Sequence, residues 1–338
     1  MQEKSQFYPK VSVVIPVKNG ANHVRELLDS LMQVGYEKDK MEIVVVDGKS
    51  TDKTREIVTQ YPVQLFTEEK PGLNGARNTG LRHSSGEIIA FTDFDCVIPK
   101  NWITKIIENF QNSKVGCVGG NVHGYYEDFL SQYADESIMP VMRIFKKREE
   151  LDSVKPPMHY PAGCNMAFKR EAIEKAGLFD ESVKYGFDED ELVERICKKG
   201  YKMVLDPEVL IMHKHRASIQ NLLKQTFTYG RGLGNLLKIK ALESAFSKWA
   251  VLCLAGFISW SALILSFTAY TLLTLSLMPL LVLIIMLLLP PVGLMIFYAY
   301  QTKKRLGKYC NILTYPFIDI ARMIAFMFGM IYQTVEKR

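Results

Sequence analysis

Between Trp249 and Thr302 the chain has no Asp, Glu, Lys, Arg or His. An uncharged run this long, dense in Leu, Ile, Phe and Met, is no solvated loop. It exceeds twice the ~20 residues needed to cross hydrocarbon, and it predicts two transmembrane helices, about 249–272 and 277–300, with a tight turn near Ser276 to Pro279. Pro290-Pro291 would kink the second, which membrane helices tolerate. Other absences narrow the field further. The six cysteines (Cys96, Cys117, Cys164, Cys197, Cys253, Cys310) form no Cys-x-x-Cys pair, which argues against a zinc site or a disulfide framework and for reduced thiols facing the cytosol. No Gly-x-Gly-x-x-Gly follows the first strand pattern, where Pro16-Val17-Lys18-Asn19-Gly20 stands instead, so a dinucleotide dehydrogenase is disfavoured. The opening residues, Met1 to Gln6, are polar and run into a strand, so no secretory signal is expected. A net charge of +6 is too mild to suggest a nucleic-acid polymer as partner, but it suits a protein resting on anionic membrane lipids.

The basic residues give the expected topology. Lys238, Lys240 and Lys248 precede the first span, Lys303, Lys304, Arg305 and Lys308 follow the second, and the turn between is uncharged. By the positive-inside rule both flanks and the large N-terminal part are cytoplasmic, in a multi-pass protein of the cell membrane. A third apolar stretch, about 312–332, carries Asp319 and Arg322 on one helical face. With Lys337-Arg338 after it, it fits an interfacial or re-entrant helix better than a third full span. The domain expectation is therefore a catalytic part at 1–217, juxtamembrane amphipathic helices at 218–248 and a membrane part at 249–338. Leu222, Leu223, Phe227, Leu233, Leu236 and Leu237 alternate with basic residues in the juxtamembrane part, and Gly230, Gly232 and Gly234 are expected to break it in two.

The first two hundred residues alternate strand and helix signals: strands at Val11 to Pro16, Glu42 to Asp47, Val63 to Thr67 and Ile88 to Phe91, helices at Asn22 to Gln33, Asp52 to Gln60 and Asn74 to His83. Apolar strands separated by short helices predict an α/β fold with a largely parallel, Rossmann-like sheet covered on both faces. In such sheets ligands bind beyond the carboxyl ends of the strands. Those ends carry Pro16 to Asn19, Asp47, and Asp93-Phe94-Asp95. If the fourth strand continues through Asp95, its period of two puts both carboxylates on one side, as hard ligands for Mg²⁺ or Mn²⁺ carrying substrate phosphates. Three polar clusters at one edge describe a nucleotide-diphosphate site.

Taken in order, these residues resemble a family. Val13 to Asn19, Val45-Val46-Asp47-Gly48-Lys49-Ser50-Thr51-Asp52, Gly75-Ala76-Arg77-Asn78 and Thr92-Asp93-Phe94-Asp95-Cys96 are similar to the family-2 inverting glycosyltransferases of the A-type fold. Gly163-Cys164-Asn165 and Gly177 to Glu181 look like that family's acceptor-side segment, and Asp188-Glu189-Asp190-Glu191-Leu192 to Arg195 like its acidic catalytic helix. The resemblance covers about residues 9 to 217. It implies a nucleotide-sugar donor, with Asp47 at the base, Pro16 and Asn19 lining the pocket, and Arg77 near the phosphates. Asp93 would face the ribose and metal, Asp95 would ligate the cation, and His213 stands where such enzymes often bring a histidine to the metal or diphosphate.

An inverting transfer also needs a base to take the acceptor's proton. Counting back from Leu192, Asp188-Glu189 falls where the family has Glu-Asp, with Glu189-Asp190 one step out of register, so Asp190, Glu189 and Asp188 all stay open. Acids at a helix start are also favoured by the helix dipole, so some of them carry charge alone. For Asp47 the competing reading is a turn or helix-capping acid, and for His213 a structural histidine. The stretch Tyr125 to Tyr160, with Lys146-Lys147-Arg148, reads as a solvated loop, or as a holder of a lipid-linked acceptor's phosphate. The expected reaction is single-sugar transfer to a lipid-linked or glycan acceptor at the membrane. A polyprenyl- or dolichyl-phosphate monosaccharide synthase is the alternative, although Asp93 to Ile98 departs from the Asp-Ala-Asp-Leu-Gln-His of those enzymes. A processive polysaccharide synthase lacks support because no Gln-x-x-Arg-Trp precedes the membrane. A non-catalytic scaffold that only binds nucleotide-sugar would have lost the metal or base acids, and none is lost here.

Overall fold

A computed structural model describes residues 8–138, 144–216, 218–305 and 311–336. Met1 to Gln6, Lys308, Cys310 and Lys337-Arg338 lie outside the described residues, as do the side chains of Lys303, Lys304 and Arg305. The chain forms two compact units: one of residues 8–135 and 144–215, the other of 136–138, 216, 218–305 and 311–336.

The first unit begins with β1 (Val11–Val17), α1 (Val24–Met32), β2 (Met41–Asp47), α2 (Thr54–Val58), β3 (Gln64–Thr67), α3 (Leu73–His83) and β4 (Ile88–Phe91). All four strands run parallel in the order β3-β2-β1-β4. Every residue of β1 is buried, as a strand covered on both faces requires. On one face α3 lies close enough that a Cβ on Gly80 would stand 2.3 Å from Val14 Cγ1, so glycine is the residue this approach admits.

The second half of the sheet departs from the parallel expectation. It is built from β5 (Cys96–Val97), α4 (Trp102–Asn109), β6 (Val115–Gly124), α5 (Phe129–Glu136), β7 (Glu149–Leu151), β8 (Met166–Lys169), α6 (Arg170–Ala176), α7 (Asp188–Lys198) and β9 (Lys202–His213). β8 slots antiparallel between β4 and β6, β9 runs parallel to β6, and β5 and β7 pair antiparallel with opposite ends of β9. The sheet is therefore mixed. The Tyr125 to Tyr160 stretch, expected as a loop, carries α5 and β7.

The second unit holds α8 (Ile219–Lys240), α9 (Ala245–Thr274), α10 (Leu277–Arg305) and α11 (Asn311–Val335). Three of these, α9, α10 and α11, are long and apolar enough to cross a membrane. α9 and α10 match the two expected spans, with Leu275 in the left-handed region (φ 48°) at the turn and Pro290-Pro291 inside α10.

Two expectations change here. α8 runs unbroken through Gly230, Gly232 and Gly234, and Gly230 and Gly234 serve packing: a Cβ on Gly230 would sit 2.0 Å from the Phe326 carbonyl oxygen of α11, one on Gly234 2.7 Å from that of Met330, and one on Gly329 of α11 2.1 Å from that of Phe227. This small-residue seam lets two helix backbones touch. α11 is one continuous helix whose Asp319 and Arg322 are buried inside the unit. Tyr298 of α10 donates to Asp319, and Arg322 Nε donates to Thr226 Oγ1 of α8 at 3.2 Å. Charges satisfied by neighbouring helices do not mark an interfacial face, so Asp319 and Arg322 no longer argue for that reading.

Gly230→Ala is expected to lower the thermal stability of the detergent-solubilised chain by about 1–3 kcal/mol through overpacking. Gly256→Ala in α9, where nothing lies within 4 Å of an added Cβ, is expected to leave it unchanged or slightly raised.

Candidate active site

The strand ends converge as expected, through loops that the strand pattern did not show. β4 stops at Phe91, and a turn closed by Cys96 N donating to the Asp93 carbonyl at 3.2 Å presents Asp93 and Asp95. The period-two argument therefore does not apply, and the turn brings the acids together. Lys214 N donates to the Asp95 carbonyl at 3.0 Å, and Cys96 pairs with His213 across β5 and β9, so the last residues of β9 lie against this turn. His213 Nε2 stands 3.4 Å from Asp95 Oδ1.

Burial alone would lower the pKa of His213, but the adjacent Asp95 carboxylate outweighs it and raises the imidazole to about 9. Asp93 is also pushed up, first by burial and then by Asp95, with Arg77 and His213 pulling the other way. Behind His213 runs a chain that sequence reading missed. His213 Nδ1 meets His215 Nδ1 at 3.2 Å, and His215 Nε2 meets Asp135 Oδ1 at 3.3 Å. Burial would raise Asp135; hydrogen bonds from His123, His215 and the Gly124 N–H instead draw it down to about 2. Asp135 sits in α5, in a stretch with no motif to mark it.

Arg77, on α3, is fully buried and organises the other side. It pairs with Asp188 at the start of α7, donates from Nη2 to the Gly163 carbonyl at 3.3 Å, and lies 5.2 Å from the centre of the Phe179 ring. Burial disfavours its charge, but Asp188, Glu189 and Asp93 overcome that and raise its pKa. A Cβ on Gly163 would come within 2.7 Å of Arg77 Nη2, which explains the glycine, and the Glu189 carboxyl lies 3.6 Å from the same point. Glu191 is bound to Arg195 through Nε and Nη2, and the guanidinium also donates from Nη1 to the carbonyls of Ala176 and Gly177 and from Nη2 to that of Leu178. Of the three base candidates, Asp188 is committed to Arg77, Asp190 is buried, and Glu189 is partly exposed beside Gly163.

At the nucleotide end, Pro16 is buried in β1 next to β2, and Asn19 (φ 54°) ties the two strand ends together: its N–H donates to Ser50 Oγ at 2.8 Å and its Oδ1 accepts from Thr51 N at 2.9 Å. Asp47 closes β2 and accepts from Ser50 N at 3.2 Å and from Arg55 at 3.0 Å, so its carboxylate braces the turn after the strand. Two of the acceptor-side residues lie inside the protein. Cys164 is buried against Cys96. Asn165 is fully buried; it accepts from Trp102 Nε1 and donates to the carbonyls of Asn121 and Val209, all at 2.8 Å, so its amide stitches β6, β9 and α4.

Comparison with known proteins decides the family. The model for "Glycosyl transferase family 2" matches residues 12–177. The glycosyltransferase AglE of Haloferax volcanii is 30% identical over 233 residues, covering 66% of this chain and 73% of its own. This chain belongs to glycosyltransferase family 2. A dolichyl N-acetyl-α-D-glucosaminyl phosphate 3-β-D-2,3-diacetamido-2,3-dideoxy-β-D-glucuronosyltransferase of Methanococcus voltae is 21% identical over 260 residues, covering 68% of this chain and 74% of its own. Among solved structures, the mannosyltransferase PcManGT of Pyrobaculum calidifontis, in complex with GDP-Man and Mn²⁺, superposes with a TM-score of 0.67. It is 23% identical and covers 98% of this chain and 89% of its own. The sheet and its covering helices are thus an A-type glycosyltransferase fold, and the protein is a glycosyltransferase.

The raised His213 and the lowered Asp135 set a pH dependence of stability in the metal-free protein. His213 binds its proton more tightly folded than unfolded, so its contribution is complete below about pH 6.5 and is lost as pH rises through about 9. Asp135 contributes above its unfolded value and is lost as pH falls through about 2. Thermal denaturation between pH 6 and 10 is expected to show the first loss in the wild type, and a flatter profile in His213→Gln.

Proposed function

We propose that this glycosyltransferase moves a single sugar, with inversion, from a nucleoside-diphosphate sugar to a lipid-linked or glycan acceptor at the cytoplasmic face of the cell membrane, with a divalent cation. The observation that supports this best is the gathering of Asp93, Asp95 and His213 at the carboxyl ends of the strands, with His213 Nε2 3.4 Å from Asp95 Oδ1. Two carboxylates and one imidazole suit a hard-to-borderline dication, and the nitrogen donor favours Mn²⁺ over Mg²⁺. Bound there, the cation would supply Lewis-acid stabilisation of the departing diphosphate.

The chain's own residues would do the rest. The nucleotide base would take the Asp47 carboxylate from the half-exposed Arg55 side chain, with Pro16 and Asn19 shaping the pocket. Arg77 would hold positive charge beside the phosphates while fixing the start of α7 through Asp188. Glu189 is our choice of base: its carboxylate would take the acceptor hydroxyl's proton as that oxygen attacks the anomeric carbon and the bond to the diphosphate oxygen breaks. Asp188 and Asp190 are buried, whereas Glu189 is partly exposed beside Gly163, and that exposure is the ground for the choice.

The named activity of the Methanococcus voltae relative, on a dolichyl-phosphate-linked sugar, favours a lipid-linked acceptor. The uncharged run Trp249 to Thr302, which extends from α9 into α10 between basic flanks, supports a multi-pass membrane protein whose transferase part is cytoplasmic.

With donor and membrane lipid extract, Glu189→Gln is expected to keep donor binding and lose on the order of 10²–10⁴-fold in turnover, while Asp190→Asn keeps most activity. The reverse result would move the base to Asp190. Transfer to bare polyprenyl phosphate in place of a lipid-linked sugar would favour the monosaccharide-synthase reading, and donor binding without hydrolysis or transfer would favour the scaffold.

A further inference from the structure

The cation site carries a donor that a Mg²⁺ or Mn²⁺ enzyme does not need. One ligand atom from each of Asp95, Cys96 and His213 lies within 4.8 Å of the others, and all three residues are buried. Cys96 follows Asp95 directly and faces His213 across the β5–β9 ladder, so the backbone pairing that seats the histidine also seats the thiol. A second buried thiol, that of Cys164, lies near enough to Cys96 to raise its own pKa.

These three donors suit a thiophilic cation. Zn²⁺ binds carboxylate oxygen, imidazole nitrogen and thiolate sulfur at about 2.0–2.3 Å, which puts neighbouring ligand atoms of a tetrahedral site about 3.3–3.7 Å apart. The Asp95 Oδ1 to His213 Nε2 distance of 3.4 Å already meets that edge. Sulfur has only to close part of the remaining distance, and the fourth position stays open to solvent or to Asp93. The hard oxygen ligands by themselves would discriminate little against Mn²⁺, whereas a thiolate selects strongly for the softer ion.

We propose that Cys96 makes this cation site a thiophilic-metal site as well, at which Zn²⁺ or Cd²⁺ is bound by Asp95, Cys96 and His213 and displaces the catalytic dication. The thiol proton leaves to solvent as the sulfur–metal bond forms. The occupied site holds its cation by three protein ligands and is inhibited for donor binding. The proposal rests on the reading of Asp95 and His213 as cation ligands, and it goes beyond that reading in naming the sulfur and the inhibitory metals.

The test is a titration of the full-length chain in detergent with Cd²⁺, without donor, followed by the ultraviolet thiolate-to-Cd²⁺ charge-transfer band. The wild type is expected to develop the band at one equivalent, Cys96→Ser to lose it at that stoichiometry, and Cys253→Ser to keep it. A separate Mn²⁺ titration is expected to give similar affinity in wild type and Cys96→Ser. Zn²⁺ added to assays containing Mn²⁺ is expected to inhibit the wild type at concentrations at least about tenfold lower than Cys96→Ser. Should Cys96→Ser not fold, His213→Gln in the wild-type thiol background replaces it, with Cd²⁺ affinity expected to drop more than about tenfold. No band in the wild type at one equivalent, or an undiminished band in Cys96→Ser, overturns the proposal. Because the band is read without nucleotide-sugar, failure of the transferase reading appears separately, as a chain that binds Cd²⁺ through Cys96 but neither binds nor turns over donor.

Discussion

Four carboxylates, those of Asp93, Asp95, Asp188 and Glu189, share the end of one sheet with Arg77 and His213, and the balance between them governs this site. Acids brought this close out of bulk water are costly to ionise, and the Asp93 pKa rises first because the group is buried and then because Asp95 repels its charge. Arg77 answers the α7 side through Asp188, and His213 answers the turn after β4 through Asp95. Neither cation is free to leave. Arg77 is locked beneath Gly163 and Phe179, and His213 is backed by His215 and Asp135. In the proposed reaction a dication with its diphosphate would add charge of both signs to this balance.

The same logic of satisfied charge runs through the helical unit. Apolar helices gain little from burying one another in lipid, so close backbone packing and shared polar contacts have to hold them. Gly230, Gly234 and Gly329 provide the first, and Asp319, Arg322, Tyr298 and Thr226 the second. Residues 136–138 belong to this unit: Ile138 N donates to Tyr298 Oη at 2.8 Å and Asn311 donates to Glu136 at 3.2 Å. The residue before them is Asp135, which ends the His213–His215 chain.

What could be read from the sequence followed from how local the signal was. β1 to β4 and the helices between them were legible because each strand is a short apolar run buried on both faces. The two long spans were legible because charge is absent over their length. The acids after β4 were found, but the turn that presents them was not, since strand periodicity says nothing beyond the strand's end. β8 was missed as an antiparallel insertion because Met166 to Lys169 has only four residues and its direction is set by partners far away in sequence. Gly230 and Gly234 were read as breakers because their role depends on a helix about a hundred residues later. Asn165 was placed with the acceptor by resemblance, whereas Trp102, Asn121 and Val209 show it as a buried strut. Asp135 and His215 reach His213 only through contacts that no spacing rule encodes.

The central claim is that the crowded acids at the sheet edge form a cation site on which donor recognition depends. Calorimetric titration of the full-length chain with UDP and GDP, with and without Mn²⁺, tests it most directly. At least one nucleoside diphosphate is expected to bind only when Mn²⁺ is present, and Asp95→Ala is expected to abolish the metal-dependent part. Equal affinity with and without Mn²⁺, unchanged in Asp95→Ala, would contradict it.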